Sequence, residues 1–122
     1  SQSIVDLNFK NKIFSNVDFI MHMASIASPY YYRKFPLKTI EANVDGLKNI
    51  LKNYKDKKVN LLYFSSSEIY GDPPKDKIPT SEDFNGNVSC IGPRSCYDEA
   101  KRFCETICYY YSSIYKIKSG NF

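Results

Sequence analysis

Two side chains in this chain have the types and the spacing to move a proton: Tyr97 and Lys101, in the run Tyr97-Asp98-Glu99-Ala100-Lys101. On a helix, residues four apart share a face, with Cβ atoms about 5–6 Å from each other. A phenol ordinarily ionises near pH 10 and is a poor base at neutrality, with about 10 as its reference pKa, but a fixed positive charge beside it favours the phenolate. Tyr97 is thus a candidate general base with Lys101 as its electrostatic partner. A second polar cluster, Ser65-Ser66-Ser67-Glu68, offers three hydroxyls and a carboxylate. A solvated helix bearing a half-buried tyrosine has the same Tyr-to-Lys spacing, so the surrounding elements must decide between the two.

Those elements follow from the apolar pattern. Val17 to Met23 is a short, mostly apolar run that ends in Ala24-Ser25 and is broken at Pro29, as in a buried strand. Tyr30 to Phe35 reads as an aromatic, basic loop. From Pro36, which suits a first helical turn, Leu37, Ile40, Val44, Leu47, Ile50, Leu51 and Tyr54 recur at three- and four-residue spacing, predicting one helix. Val59 to Phe64 is a second apolar run, too short for a buried helix, and predicts a strand closed by Ser65-Ser66-Ser67. Strand, crossover helix, strand is the unit of a parallel sheet. After Gly71, about twenty residues rich in Pro and Gly show no period, which is long for an idle connection and predicts a site loop. Tyr97, Ala100, Phe103, Cys104, Ile107, Cys108, Tyr111 and Tyr115 mark a second amphipathic helix, with Asp98 and Glu99 favourably placed at the positive end of its dipole. Lys116 to Phe122 could begin a further strand, and Ile4 to Leu7 an earlier one. The fold class expected is α/β, part of a Rossmann-like doubly wound parallel sheet. Chemistry in such sheets gathers beyond the carboxyl ends of the strands, where Ser65 to Glu68 and the start of the Tyr97 helix both fall.

The composition excludes several other classes. Seventeen Lys and Arg against thirteen Asp and Glu give a net charge of +4, too mild and too interspersed to point to nucleic acid or membrane. No apolar run approaches the roughly 18 residues that span a bilayer, and the opening residues lack the features of an export signal, so a cytoplasmic location is expected. Cys90, Cys96, Cys104 and Cys108 form no CxxC pair and read as reduced, small core residues. A single histidine, His22, leaves little room for a nucleophile-histidine triad or a polyhistidine metal site, and no metal is expected.

Four blocks carry a family resemblance: His22 to Ser25; Asn43-Val44-Asp45-Gly46-Leu47-Lys48-Asn49; Ser65-Ser66-Ser67-Glu68-Ile69-Tyr70-Gly71-Asp72-Pro73; and Ile91-Gly92-Pro93-Arg94-Ser95-Cys96-Tyr97-Asp98-Glu99-Ala100-Lys101-Arg102. Through them the chain resembles the extended short-chain dehydrogenase/reductase family of nucleotide-sugar epimerases, dehydratases and decarboxylases, over roughly residues 16 to 118. The last two blocks are most similar to the branch that decarboxylates UDP-glucuronate. The resemblance implies NAD as cofactor and a nucleotide sugar, with a UDP-sugar favoured, as substrate. It makes Tyr97 the base that takes a proton from a sugar hydroxyl, Lys101 the group that holds the nicotinamide ribose, Ser66 the hydroxyl on the reacting sugar oxygen, and Glu68 an acidic group in proton traffic. Met23, Ala24, Ser25 and Ser65 are implied along the cofactor, and Ser67, Asn49 and Tyr111 along the substrate. A homodimer, built by packing the crossover and Tyr-Lys helices together, is a further implication.

Two features depart from that branch. Where its members place a lysine two residues before the asparagine matching Asn43, this chain has Glu41, and a carboxylate there repels an acidic sugar. A 4-epimerase or 4,6-dehydratase therefore stays open as the alternative. The five glycines contain no GxGxxG or GxxGxxG spacing, so the chain is expected to be the central piece, residues 1–122, of a dinucleotide-binding domain without its glycine-rich β-α unit and its C-terminal substrate domain. An RNA-binding module using Tyr30 to Lys34 and the Lys52 to Lys58 cluster is a distant alternative without an accompanying signature, and a noncatalytic relative is another.

Overall fold

A computed structural model of the chain describes residues 3–5, 17–115 and 117–121. Three parallel strands lie side by side in sequence order: β1 (Phe19–His22), β2 (Asn60–Tyr63) and β3 (Lys118–Asn121). Phe19 pairs with Asn60 and His22 with Tyr63, while Asn60 pairs with Lys118. Parallel neighbours cannot be joined by a hairpin, so each connection must cross over the sheet. The first does so through α1 (Pro29–Lys34), α2 (Pro36–Ile40), a π-helical turn at Glu41–Asp45, and α3 (Gly46–Tyr54); the second through a long loop and α4 (Ser95–Ile114).

One core lies between the sheet and both crossovers. Leu61 and Tyr63, two residues apart and hence on one face of β2, pack with Leu47, Ile50, Leu51 and Tyr54 of α3 and with Cys104 and Cys108 of α4. The three- and four-residue spacing of these positions is what turns each helix's apolar stripe inward. On the opposite face of the sheet Phe19 and Met21 are exposed.

Several expectations need correction. The stretch read as a loop at Tyr30–Phe35 is mostly the short helix α1, with Pro29 at its first position. A six-residue helix shows no period and depends on tertiary packing, here the burial of Tyr32. The helix from Pro36 is not uniform: its middle turn widens at Glu41–Asp45. Just there, Thr39 Oγ1 donates to the Phe35 carbonyl and Asn43 Nδ2 to the Thr39 carbonyl, and side chains that bond the preceding turn distort helices. Ile4 and Val5 form a turn rather than a strand, with Asp6 and Leu7 outside the described residues. Cys104 and Cys108 are buried, but Cys90 is exposed and Cys96 only half-buried, because both precede the inward stripe of α4.

The long loop folds back on α4. Gly71 pairs with Asn87, and Arg102 Nη1 donates to the carbonyls of Ile69 (2.7 Å) and Asn85 (2.9 Å), stapling both ends of the excursion to one helix. Gly86, at a φ of +89°, lets Arg102 in: a Cβ there would stand 2.6 Å from Nη1.

Candidate functional site

Tyr97 sits in the first turn of α4 and Lys101 one turn on, both on the inward stripe and only 6% and 4% exposed. The Lys101 ammonium donates a 2.7 Å hydrogen bond to the Phe64 carbonyl, just beyond β2, and lies 4.9 Å from the Tyr63 ring centre and 5.8 Å from that of Tyr97. Burial pulls the Lys101 pKa down from its ordinary value, with the neighbouring Cys104 opposing. His22, at the end of β1 and 5.8 Å from the Tyr63 ring, is held down to about 4 by burial and then by the charge of Lys101, so it is neutral at physiological pH. Tyr32 of α1 stacks on Tyr97 with ring centres 5.1 Å apart and planes 13° from parallel.

The serine-rich segment turns directly after β2. Ser66, in extended conformation, caps the tight turn Ser67–Tyr70, its Oγ accepting from the Glu68 N–H at 3.3 Å. The Glu68 carboxylate pairs with Arg94 Nη2, and Arg94 Nε lies 3.6 Å from Asp98 Oδ2. Ser65, Ser66 and Ser67 line a cleft of about 860 Å³ together with Glu99, Arg102 and Glu105. Neither Tyr97 nor Lys101 is among its lining residues. Ser65, expected beside the cofactor, donates its hydroxyl to Glu105 Oε1.

At the tip of β1, Met23 and Ala24 are exposed, and Ser25 Oγ donates to Asn43 Oδ1 at 2.9 Å. Asn43 is fully buried, and its own carbonyl faces Cys104 Sγ at 3.5 Å. It thereby joins the β1 tip, the crossover helix and α4. The structure does not bring the two remaining expected residues to this place. Asn49 Nδ2 donates to the Ile4 carbonyl at 2.9 Å. Tyr111 packs on the core and on Tyr115, and fourteen residues of helix put it roughly 21 Å along α4 from Tyr97.

Four contributors were not singled out from the sequence: Tyr32, Asn43, Arg94 and Asp98. A buried asparagine inside an apolar helical stripe was the available signal for Asn43. Tyr32 carried none, since Tyr30 and Tyr31 beside it are exposed.

The chain is 48% identical over 99 residues to UDP-glucuronic acid decarboxylase 1 of Danio rerio, a match covering 81% of this chain and 23% of that protein. It is 46% identical over 99 residues to UDP-glucuronic acid decarboxylase 6 of Arabidopsis thaliana, covering 81% of this chain and 28% of that one. The chain thus spans about a quarter of the length of these relatives. Among solved structures, the UDP-glucose 4-epimerase of Thermotoga maritima with UDP-glucose superposes with a TM-score of 0.83 at 25% identity, over 98% of this chain and 38% of that one. A model of the NAD dependent epimerase/dehydratase family matches residues 3–122. With its parallel sheet, its crossover helices and its Tyr97-to-Lys101 face in place, the chain belongs to the NAD dependent epimerase/dehydratase family.

Proposed function

We propose that this chain carries the proton-transfer part of a NAD-dependent nucleotide-sugar enzyme, and that the reaction is decarboxylation of UDP-glucuronate through a transient 4-keto sugar. The observation that carries the reading is the placement of Tyr97 and Lys101 on one buried face of α4, with Lys101 tied by Phe64 to the strand tip that bears Ser65 to Glu68. The names and identities of the decarboxylase relatives support the choice of reaction.

The residues present suit a nicotinamide dinucleotide. Ala24 and Ser25 are small at the end of β1, where backbone and cofactor approach closely, and Lys101 uses one of its three N–H donors on Phe64, which leaves others for ribose hydroxyls. When bound, NAD supplies the hydride acceptor for oxidation at C4 and the hydride donor for the return step. Tyr97 takes the proton of the C4 hydroxyl on its own oxygen, and the nearby Lys101 ammonium stabilises the negative charge that this oxygen carries before the transfer. Ser66 donates to the reacting sugar oxygen. Glu68 takes part in the proton traffic near the ring, and carbon dioxide departs easily because the 4-keto carbonyl accepts the electron pair of the breaking bond. Met23 completes the cofactor edge and Ser67 the sugar edge in this reading, while Ser65 keeps its hydroxyl on Glu105.

A second reading is favoured by Glu41. It is exposed at the start of the widened turn, where a carboxylate opposes an acidic sugar, and an uncharged substrate for a 4-epimerase or 4,6-dehydratase meets no such repulsion. Exposed Leu37, Phe103, Tyr110 and Ile114 on the outer faces of the two crossovers support assembly as a homodimer. None of the described helices is long and apolar enough to cross a membrane. The test is to give the full-length protein UDP-glucuronate with NAD and follow carbon dioxide and the sugar product: release of carbon dioxide establishes decarboxylation, a 4-epimer without gas establishes the alternative, and an unchanged sugar overturns both.

A further inference from the structure

Arg94 lies at the N-terminal boundary of α4, and its guanidinium reaches two carboxylates that belong to different elements. One is Glu68, in the turn after β2; the other is Asp98, one helical turn on from Arg94 and next to Tyr97. Asp98 is 93% buried by its 7% exposure, and its Oδ1 has no hydrogen-bond partner among the described residues. A buried carboxylate so poorly satisfied needs a compensating charge, and burial indeed raises the Asp98 pKa while Arg94 works against the rise. Arg94 is therefore held from below by Asp98, which leaves the rest of its planar donor fork aimed at Glu68.

The Arg94 and Glu68 side chains are 45% and 35% exposed, and an ion pair of that exposure contributes little to stability. What it does contribute is orientation. Glu68 is anchored through its backbone N–H on Ser66 and through its carboxylate on α4, so its long side chain has few rotamers left.

We infer that Arg94 is a positioning residue: braced on Asp98, it fixes the carboxylate of Glu68 against the first turn of α4, where Tyr97 stands. The inference rests on the reading of Glu68 as an acid–base group in nucleotide-sugar chemistry. A carboxylate that swings freely reaches a productive geometry in only a fraction of its conformers, so the loss falls on kcat and spares substrate affinity.

The experiment compares Arg94→Met, Arg94→Lys and Glu68→Gln, singly and as Arg94→Met with Glu68→Gln, in the full-length protein, reading kcat and KM for the nucleotide sugar beside a thermal melt. Arg94→Met is expected to lower kcat about 10- to 100-fold with KM within about 3-fold, and Arg94→Lys to recover part of the loss. In the double variant the two losses are expected not to multiply, because each disables the same device. Losses that multiply, or a loss that lies in KM alone, overturn the inference. Should Arg94→Met fail to fold, Arg94→Lys decides: a kcat equal to that of the unaltered protein overturns it. If the unaltered protein converts no nucleotide sugar, the functional reading falls, and non-additivity of the same variants in urea unfolding then decides whether Arg94 and Glu68 are coupled at all.

Discussion

The ammonium of Lys101 is bound to the carbonyl of Phe64 at 2.7 Å, so the helix that carries Tyr97 is fastened to the strand that leads into the serine-rich tip. With the packing of Cys104 and Cys108 on Leu61 and Tyr63, that bond holds the start of α4 against the end of β2. It also holds the positive charge 5.8 Å from the Tyr97 ring. Replacing Tyr97 by Phe removes the proposed proton acceptor and keeps a ring to stack on Tyr32. Tyr97→Phe is expected to lower kcat by about 100- to 10,000-fold, with KM for the nucleotide sugar changed no more than a few fold. Steady-state kinetics on the full-length protein checks this, and turnover at the unaltered rate would remove Tyr97 as the base.

His22 makes stability depend on pH. Its pKa is about 4 in the folded chain and 6.5 as the ordinary value, so between these the unfolded chain binds a proton that the folded one does not. Stability from this group is complete above pH 6.5 and declines as pH falls towards about 4, by about 3 kcal/mol over the whole window. The groups around the ring are Lys101 and the Tyr63 phenol, neither of which titrates in that interval in its ordinary range. Urea midpoints at pH 7.5 and pH 5 are expected to differ less for His22→Asn than for the unaltered protein; equal differences would show that His22 does not carry the effect.

Gly86 is expected to tolerate no side chain. Its φ of +89° is unfavourable for any L residue, and an added Cβ would stand 2.6 Å from Arg102 Nη1 and 2.7 Å from the Ile69 carbonyl. Gly86→Ala is predicted to destabilise by about 1–3 kcal/mol and to speed proteolysis between Gly71 and Gly92, because the Arg102 staple has to shift. Limited digestion followed by mass spectrometry reads the cleavage directly.

Asn43 supplies both an acceptor to Ser25 and a donor to the Thr39 carbonyl while fully buried. Asn43→Leu keeps the branched shape but is bulkier and leaves both partners unsatisfied, so a loss of about 2–4 kcal/mol in unfolding free energy is expected. Because Ser25 is released as well, NAD affinity measured by calorimetry on the full-length protein is expected to fall. A variant as stable as the unaltered protein would contradict this assignment.

Exposed Glu41 offers a test of the choice of sugar. If its carboxylate opposes the acidic end of the substrate, Glu41→Lys lowers KM for UDP-glucuronate several-fold and leaves KM for UDP-glucose nearly unchanged. Equal effects on both would show that the position does not face the sugar.

The sequence by itself determined the alternation of strands and main crossover helices, because three- and four-residue apolar spacing and short apolar runs are local signals. Val59 to Phe64 and the stripe from Tyr97 to Cys108 are legible in this way, and so is the shared face of Tyr97 and Lys101, since helical geometry alone dictates it. Tertiary structure decided what no local period encodes. Tyr32 is buried and Tyr31 is not, because only one of them meets the Tyr97 ring. Asn49 turns to Ile4 and Tyr111 stays at the far end of α4, because the direction of each helix against the sheet, rather than the residue types, sets which positions reach the strand tips. Arg94 meets Asp98 locally, one helical turn on, but it gains Glu68 only when the turn after β2 and the start of α4 come together, and that meeting depends on contacts far apart in the chain.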